Sequence, residues 1–328
     1  MVKGAAEIAL ANCTAYVDEN GEHQPLTSHE NLLNEMNKMS ERAMRLIGLA
    51  VTDESISEGP SLPQNLALVT VFGLRDEIRQ EAKVAVQEAQ AAGIRVVMIT
   101  GDAKNTARAI ATEMGIIQGD NPVLTTSTEL GEMSDAQVRD MLPNLCVVAR
   151  ALPTDKSRLV KAAKERNWVV GMTGDGVNDA PAVKNADVGF AMGSGTEMTK
   201  ESSDIVILDD NFSSLTRAVL YGRTLLKSIR KFLIFQLSVN VAAILVAFFG
   251  PFFGVDLPLT MTQMLWINLV MDTLAAIAFA GEAALSRYMK EPPTPKNAPL
   301  ITPDMWSAIS TNGVAMAILS LFFLTSDG

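Results

Sequence analysis

The chain has 328 residues, enough for about two domains, and is 48% hydrophobic and 20% charged, which excludes a disordered chain. Its 27 Lys+Arg against 37 Asp+Glu give a formal net charge of −10. There is no basic excess to neutralise phosphates, so no nucleic-acid partner is expected. The two cysteines, Cys13 and Cys146, lie far apart and fit neither a metal spacing nor a disulfide framework.

Residues 1–65 are polar and rich in Asn, Glu and Met, with one apolar segment at 45–51. They read as part of one domain, closed by a linker over Thr52–Gln64 that contains Gly59, Pro60 and Pro63. From 66 the pattern changes. Leu66–Phe72 is strand-like, and Glu77–Ala92 is helical, with Ile78, Ala82, Ala85 and Ala89 on one face and Gly93 ending it. Ile94–Ile99 reads as a continuous apolar strand and Ala103–Met114 as a helix closed by Gly115. Leu145–Ala149, Trp168–Met172, Val188–Ala191 and Ile205–Leu208 are further apolar strands. Apolar strands separated by helices predict an α/β domain over 66–220, its parallel sheet covered on both faces. Functional groups then belong at the carboxyl ends of the strands.

Residues 221–328 carry three long apolar stretches, near 232–254, 258–280 and 305–325, with Asp272 the only charge inside them. About 20 helical residues cross a ~30 Å hydrocarbon core, so each predicts a membrane-spanning helix in a lipid bilayer. Arg217, Arg223, Lys227, Arg230 and Lys231 precede the first, and Arg287, Lys290 and Lys296 separate the second from the third. The short 250–258 connection has no basic residue. The positive-inside rule therefore places the large polar region in the cytoplasm. The fold class expected is α/β plus membrane α. An odd number of spans suggests a chain that is part of a longer one.

Two strands run into the same triplet. Ile94–Ile99 leads to Thr100-Gly101-Asp102, and Trp168–Met172 leads to Thr173-Gly174-Asp175-Gly176-Val177-Asn178-Asp179. Glycine lets the backbone turn and approach a ligand. A hydroxyl with free N–H groups at a helix start suits a phosphoryl group, and clustered carboxylates suit Mg²⁺. Arg150 and Lys156 follow the strand Leu145–Ala149 and reach the same edge.

The run Met172-Thr173-Gly174-Asp175-Gly176-Val177-Asn178-Asp179-Ala180-Pro181 resembles the hinge signature of P-type cation-transporting ATPases. Lys3-Gly4-Ala5, Arg45 before Leu46-Ile47-Gly48-Leu49-Ala50, Gly73-Leu74-Arg75-Asp76 with Arg79, Thr100-Gly101-Asp102, and Arg150 with Lys156 match further family motifs in order. Glu77 and Ile78 stand where the family carries prolines. The resemblance covers essentially the whole chain.

It implies a haloacid-dehalogenase-like, Rossmann-like phosphorylation domain continuing into membrane helices, with a partial nucleotide-binding domain at 1–65. It implies that Lys3 and Arg45 hold ATP, with Arg150 and Asn178 also on the cofactor side. Thr100, Gly101 and Asp102 would contact the transferred phosphoryl group. Lys156 would stabilise its charge, Asp175 would bind Mg²⁺ and Asp179 would line the site. The family's nucleophile, the Asp of Asp-Lys-Thr-Gly-Thr, has no counterpart in this sequence. The chain is therefore expected to be a carboxyl-side portion that forms no phosphoenzyme without the missing amino-side part.

Asp at a helix centre in a bilayer costs about 2.5–3.5 kcal/mol, so Asp272 needs a reason. Asn268 lies four residues before it and Asn240 lies mid-span in the preceding helix. These are hard oxygen donors suited to Ca²⁺; Asn240 alone fits an interhelical hydrogen bond equally well. The run Leu265–Thr273 resembles calcium pumps of the plasma-membrane type. Ala243 and Met271 replace the Glu and Thr of two-site pumps, which implies one Ca²⁺ per cycle. The rival readings are a pump for Mn²⁺, Na⁺ or H⁺, a free-standing phosphatase, and an inactive fragment.

Overall fold

The structure, a computed structural model, describes residues 1–52, 65–75, 77–255 and 257–326. Most of the expected linker Thr52–Gln64, and Asp76, lie outside the described residues. The chain divides into two compact units, 1–90 with 94–213, and 91–93 with 214–328.

The first unit begins with β1 (Val2–Ala5), α1 (Ala6–Ala11), β2 (Cys13–Val17), β3 (His23–Pro25), α2 (His29–Glu41), β4 (Arg45–Val51) and β5 (Leu66–Leu74). The five strands form one mixed sheet in the order β1-β4-β5-β2-β3. Ala6 and Leu10 of α1 and Met36 of α2 pack with Ala50, Leu66 and Leu68. The expected boundary between 65 and 66 does not match this sheet. β5 pairs antiparallel with β4 from Arg45↔Leu74 to Val51↔Ala67, so it completes the first sheet and does not open the next. The sequence marks Leu66–Phe72 as a strand, but which sheet a strand joins depends on partners distant in the chain.

The α/β part follows as α3 (Gln80–Ala91), β6 (Met98–Ile99), α4 (Lys104–Glu113), β7 (Val123–Thr126), α5 (Ser127–Glu132), α6 (Asp135–Met141), β8 (Leu145–Ala149), α7 (Pro153–Glu165), β9 (Gly171–Gly174), α8 (Ala180–Asn185), β10 (Val188–Met192), α9 (Glu197–Glu201) and β11 (Ile205–Ile207). Helices α3 and α4 close as expected. Gly93 and Gly115 take φ of +75° and +74°, and Ile94 N and Ile116 N reach back to Ala89 O and Ala111 O at 2.9 and 2.8 Å. This is the left-handed closure that glycine makes without a Cβ clash. Capping boxes at Thr126/Glu129 and Ser134/Gln137 fix the starts of α5 and α6.

In place of the single parallel sheet expected, there are two three-stranded parallel sheets, β6-β8-β7 and β11-β10-β9. Every residue of β8 is buried. Leu145 and Val148 pack against Val138, Leu159, Ala162 and Ala163; Cys146, Val147 and Ala149 pack against Val86, Ala107 and Ala111. Helices on both faces are the reason the strand is continuously apolar. The runs 94–99 and 168–172 are strands only at Met98–Ile99 and Gly171–Gly174. Of their other apolar residues, Val96, Val97, Trp168 and Val170 pack on the cores, while Val169 is exposed. Packing of a residue on a core does not require its pairing in a ladder.

The second unit holds α10 (Phe212–Phe249), α11 (Met261–Trp266), α12 (Asp272–Ala280) and α13 (Pro303–Ser326). Three helical stretches, Phe212–Phe253, Met261–Ala280 and Pro303–Ser326, are long and apolar enough to cross a membrane. They contain the expected spans, but α10 starts well before 221 and runs unbroken through the basic residues. Arg223 has a packing role that its charge alone does not reveal. Its guanidinium donates to the carbonyls of Tyr288, Glu291 and Ala92 at 2.8, 2.7 and 2.7 Å, and Lys227 pairs with Glu291 at 2.7 Å. Gly313 lets α13 approach α10: a Cβ there would lie 2.7 Å from Val241 Cγ1.

Leu145→Ala should destabilise the α/β core by about 2–5 kcal/mol, the usual cost of a buried Leu truncation. The expected result is a thermal midpoint several degrees lower for the detergent-solubilised chain, and an unchanged midpoint would contradict the central place of β8.

Candidate functional site

The first triplet forms a hydrogen-bonded corner. Thr100 N, just after β6, donates to Val148 O at 2.9 Å and Ala151 N donates to Thr100 O at 2.9 Å. Thr100 Oγ1 donates to Asp102 Oδ2 at 2.9 Å and accepts from Asp102 N at 3.2 Å. Arg150 N donates to Asp102 O at 3.0 Å. The loops after β6 and β8 are thus laced together at the carboxyl ends of adjacent parallel strands, where open α/β sheets place ligands. Gly101 is exposed, and a Cβ there would meet nothing within 4 Å, so the backbone is open to an approaching group.

The second corner follows β9. Asp179 is 6% exposed and both of its carboxylate oxygens are engaged. Oδ1 accepts from Lys156 Nζ at 2.5 Å and Oδ2 from Asp175 N at 3.3 Å. Lys156 lies in the first turn of α7, whose start is fixed by Leu152 N donating to Asp155 Oδ2 at 2.8 Å. Asp155 is 7% exposed and was not singled out by the sequence; the Pro153-Thr154-Asp155 helix start was the available signal. Gly174 must be glycine, because a Cβ there would lie 2.5 Å from Asp179 Cβ and 2.9 Å from Val183 Cγ2. Asp175 and Asn178 are exposed. The Asp175 carboxylate has no protein partner among the described residues, which leaves it free for a cation. The ion pair leaves Asp179 as the group that positions Lys156 and the Asp175 backbone.

On the first sheet, Lys3 lies opposite Leu49 on β4. Arg45 is four residues along the same strand, on the same face and about 13 Å away. Both are exposed. Arg45 Nε is 3.8 Å from Asp102 Oδ1. Arg150, held at φ +49°, pairs its guanidinium with Glu7 Oε1. Arg45 and Arg150 therefore reach acidic partners, and Lys3 stands apart from both corners. Among the described residues no three of His, Cys, Asp and Glu gather as a metal cluster.

In the second unit, Asp272 follows a π-helical turn, Ile267–Met271, that contains Asn268. Such turns are rare and frequently lie at functional sites. Asp272 is half-buried and its Oδ1 is buried with no hydrogen-bond partner. Asn240 is half-buried, and Asn268 is exposed. The sequence passed over Gln236, whose Oε1 is likewise buried without a partner.

Residues 11–187 match the family of haloacid dehalogenase-like hydrolases, and residues 256–327 match the C-terminal family of cation transporting ATPases. The chain is 42% identical over 320 residues to plasma membrane-type calcium-transporting ATPase 8 of Arabidopsis thaliana, covering 93% of this chain and 30% of that protein. It is 41% identical over 341 residues to plasma membrane calcium-transporting ATPase 2 of Oreochromis mossambicus, covering 97% of this chain and 31% of that protein. A calcium-transporting ATPase of Dictyostelium discoideum is 40% identical over 99% of this chain and 32% of its own length. The chain thus spans about a third of the length of the curated relatives it matches.

Gly174→Ala should cost about 1–3 kcal/mol by overpacking against Asp179. Gly176→Ala, whose Cβ would meet nothing within 4 Å, should stay within about 0.5 kcal/mol of wild type. Thermal unfolding of the two variants side by side checks the pair, and equal midpoints would contradict the packing of the corner.

Proposed function

The chain belongs to the haloacid dehalogenase-like hydrolase family, and from that premise we propose that it is the carboxyl-side portion of a P-type calcium pump, in which ATP hydrolysis drives Ca²⁺ from the cytoplasm across the plasma membrane. The observation that carries the reading is the unpartnered Asp272 carboxylate oxygen, buried in an apolar helix of the same chain that holds the Lys156–Asp179 corner. A buried carboxylate without a donor is costly. A cation that binds and leaves gives it a purpose.

In the catalytic part, Lys3 and Arg45 share one sheet face and would hold the nucleotide between them, with Arg150 and Asn178 beside it. Thr100 and Gly101 would meet the transferred phosphoryl group with a hydroxyl and an open backbone, while Asp102 fixes the hydroxyl. Lys156, set in place by Asp179, would supply the fixed positive charge on which phosphoryl transfer mainly relies. The free Asp175 carboxylate fits Mg²⁺, which takes one or two carboxylates together with phosphate and water. When bound, Mg²⁺ would neutralise phosphate charge beside Lys156. The acceptor carboxylate belongs to the part of the pump that this chain does not include.

In the membrane part, Asp272 and Asn268 would supply oxygens to one Ca²⁺, with Asn240 at its edge. Ala243 and Met271 offer no side-chain oxygen for a second ion. The basic residues before the first span and between the second and third, with none in the 250–258 connection, favour a cytoplasmic catalytic part.

In the complete pump, Asp175→Asn should abolish Mg²⁺-dependent phosphoenzyme formation from ATP while leaving the thermal midpoint near wild type. Wild-type phosphoenzyme at low Mg²⁺ would refute the assignment. Equilibrium binding of radiolabelled Ca²⁺, normalised to phosphorylatable sites, should give one ion per site, lost in Asp272→Asn. Two cooperative ions would overturn the stoichiometry, and phosphorylation that responds to Mn²⁺ or Na⁺ but not to Ca²⁺ would overturn the choice of ion.

A further inference from the structure

Buried polar atoms in folded proteins are nearly always paired, and the demand is strictest in apolar helices. Among the described residues three side-chain atoms are buried with no hydrogen-bond partner: Arg230 Nε, Gln236 Oε1 and Asp272 Oδ1. The two acceptors both lie on helices apolar enough to span a membrane. Asp272 has a role in the function proposed above, and Gln236 has none.

Gln236 lies four residues before Asn240 on α10, so the two amides share a helix face. Arg230, six residues before Gln236, is turned about 240° around the helix and is not a donor for it. Contacts of α10 with Phe279 of α12 and with Glu282, two residues past its end, set the antiparallel register of the two helices. Ser228 Oγ donates to Glu282 Oε2 at 3.2 Å, and Lys231 pairs with the same carboxylate. Hydrogen bonding and the charge of Lys231 hold the Glu282 carboxyl below its ordinary range. One step further in, the Phe279 ring meets Phe232 and Phe235 at centroid distances of 6.4 and 6.2 Å. Continuing this register, Asn240 falls within about one turn of the level of Asp272. Gln236 falls about one turn nearer the basic end, between the phenylalanine rings and the unpartnered carboxylate.

A Gln side-chain carbonyl is a hard, neutral oxygen of the kind Ca²⁺ accepts. Being neutral, it binds a cation without trapping it, as passage between successive sites requires. We propose that the Gln236 side-chain oxygen is a further ligand of the transported cation, met on the entry side between the basic end of α10 and Asp272. This rests on the calcium-pump reading.

The test is the Ca²⁺ dependence of phosphoenzyme formation by the complete pump in membranes, with thermal inactivation followed in parallel. Gln236→Leu should raise the half-saturating Ca²⁺ concentration about tenfold, as loss of one oxygen from about six to eight would. Its thermal midpoint should not fall, because an unpaired acceptor has been removed. Gln236→Glu keeps an oxygen and should stay within about threefold of wild type. Should the Leu variant fail to fold, Gln236→Met, closer in shape, carries the same expectation. Wild-type Ca²⁺ dependence in the Leu or Met variant overturns the proposal. So does an equal loss of affinity and midpoint in the Leu and Glu variants, which marks a structural partner in another segment. Asp272→Asn separates the two levels: if it leaves Ca²⁺ dependence intact, the calcium reading itself fails.

Discussion

The ion pair between Lys156 and Asp179 is the interaction on which the corner after β9 depends. Lys156 belongs to the helix that follows β8, in one parallel sheet, and Asp179 to the loop that follows β9, in the other. Helix α7 serves both sides of this join. Its Leu159, Ala162 and Ala163 pack with β8, and its Val160 packs with Met172, Ala182 and Val183 around β9. The apolar faces set the helix against both sheets, and the ion pair fixes the register of its first turn. Breaking such a pair by removing one partner leaves an uncompensated charge, at a cost of about 3–5 kcal/mol when fully buried. The side chains here are 22% and 9% exposed, so the cost for this pair is smaller.

From that join the rest of the corner follows. Asp179 also receives Asp175 N, which holds the glycine loop in place and leaves the Asp175 carboxylate exposed and, among the described residues, unengaged. Gly174 admits the Asp179 side chain where any Cβ would exclude it. The carboxylate with the larger number of contacts thus positions its neighbours, and the carboxylate with none is available to a ligand. This division of labour between two residues four apart in sequence is a consequence of packing.

The membrane unit obeys a different constraint. Without water, every buried polar group needs a partner within the protein or a ligand. Arg223 meets it with three backbone carbonyls, and Ser228 and Lys231 meet it with Glu282. Among the described residues Arg230 Nε, Gln236 Oε1 and Asp272 Oδ1 leave it unmet, and the π-helical turn lies directly before Asp272. Among the described residues, side-chain pairing is concentrated at the basic end, where Arg230 Nε alone stays buried and unpaired, and the unpaired oxygens lie farther in.

The sequence alone determined the elements whose signals are local. Gly93 and Gly115 closed their helices because only a residue without Cβ takes that φ freely. The fully apolar Leu145–Ala149 became a strand covered on both faces, the three apolar stretches became helices, and the motif around Gly174–Asp179 marked the corner. What it did not determine was anything that rests on partners far apart in the chain. β5 joined the first sheet because its ladder to β4 satisfied its backbone there. The runs at 94–99 and 168–172 are half-buried for the most part and pair as strands only at Met98–Ile99 and from Gly171. Asp179 became a positioning group because Lys156 arrived on the helix that follows a strand of the other sheet, and Arg223 became a clamp because three carbonyls converged on it. Gln236 was passed over in the sequence although it is an amide in the same apolar helix as Asn240; that its oxygen is buried with no donor among the described residues is known only from packing.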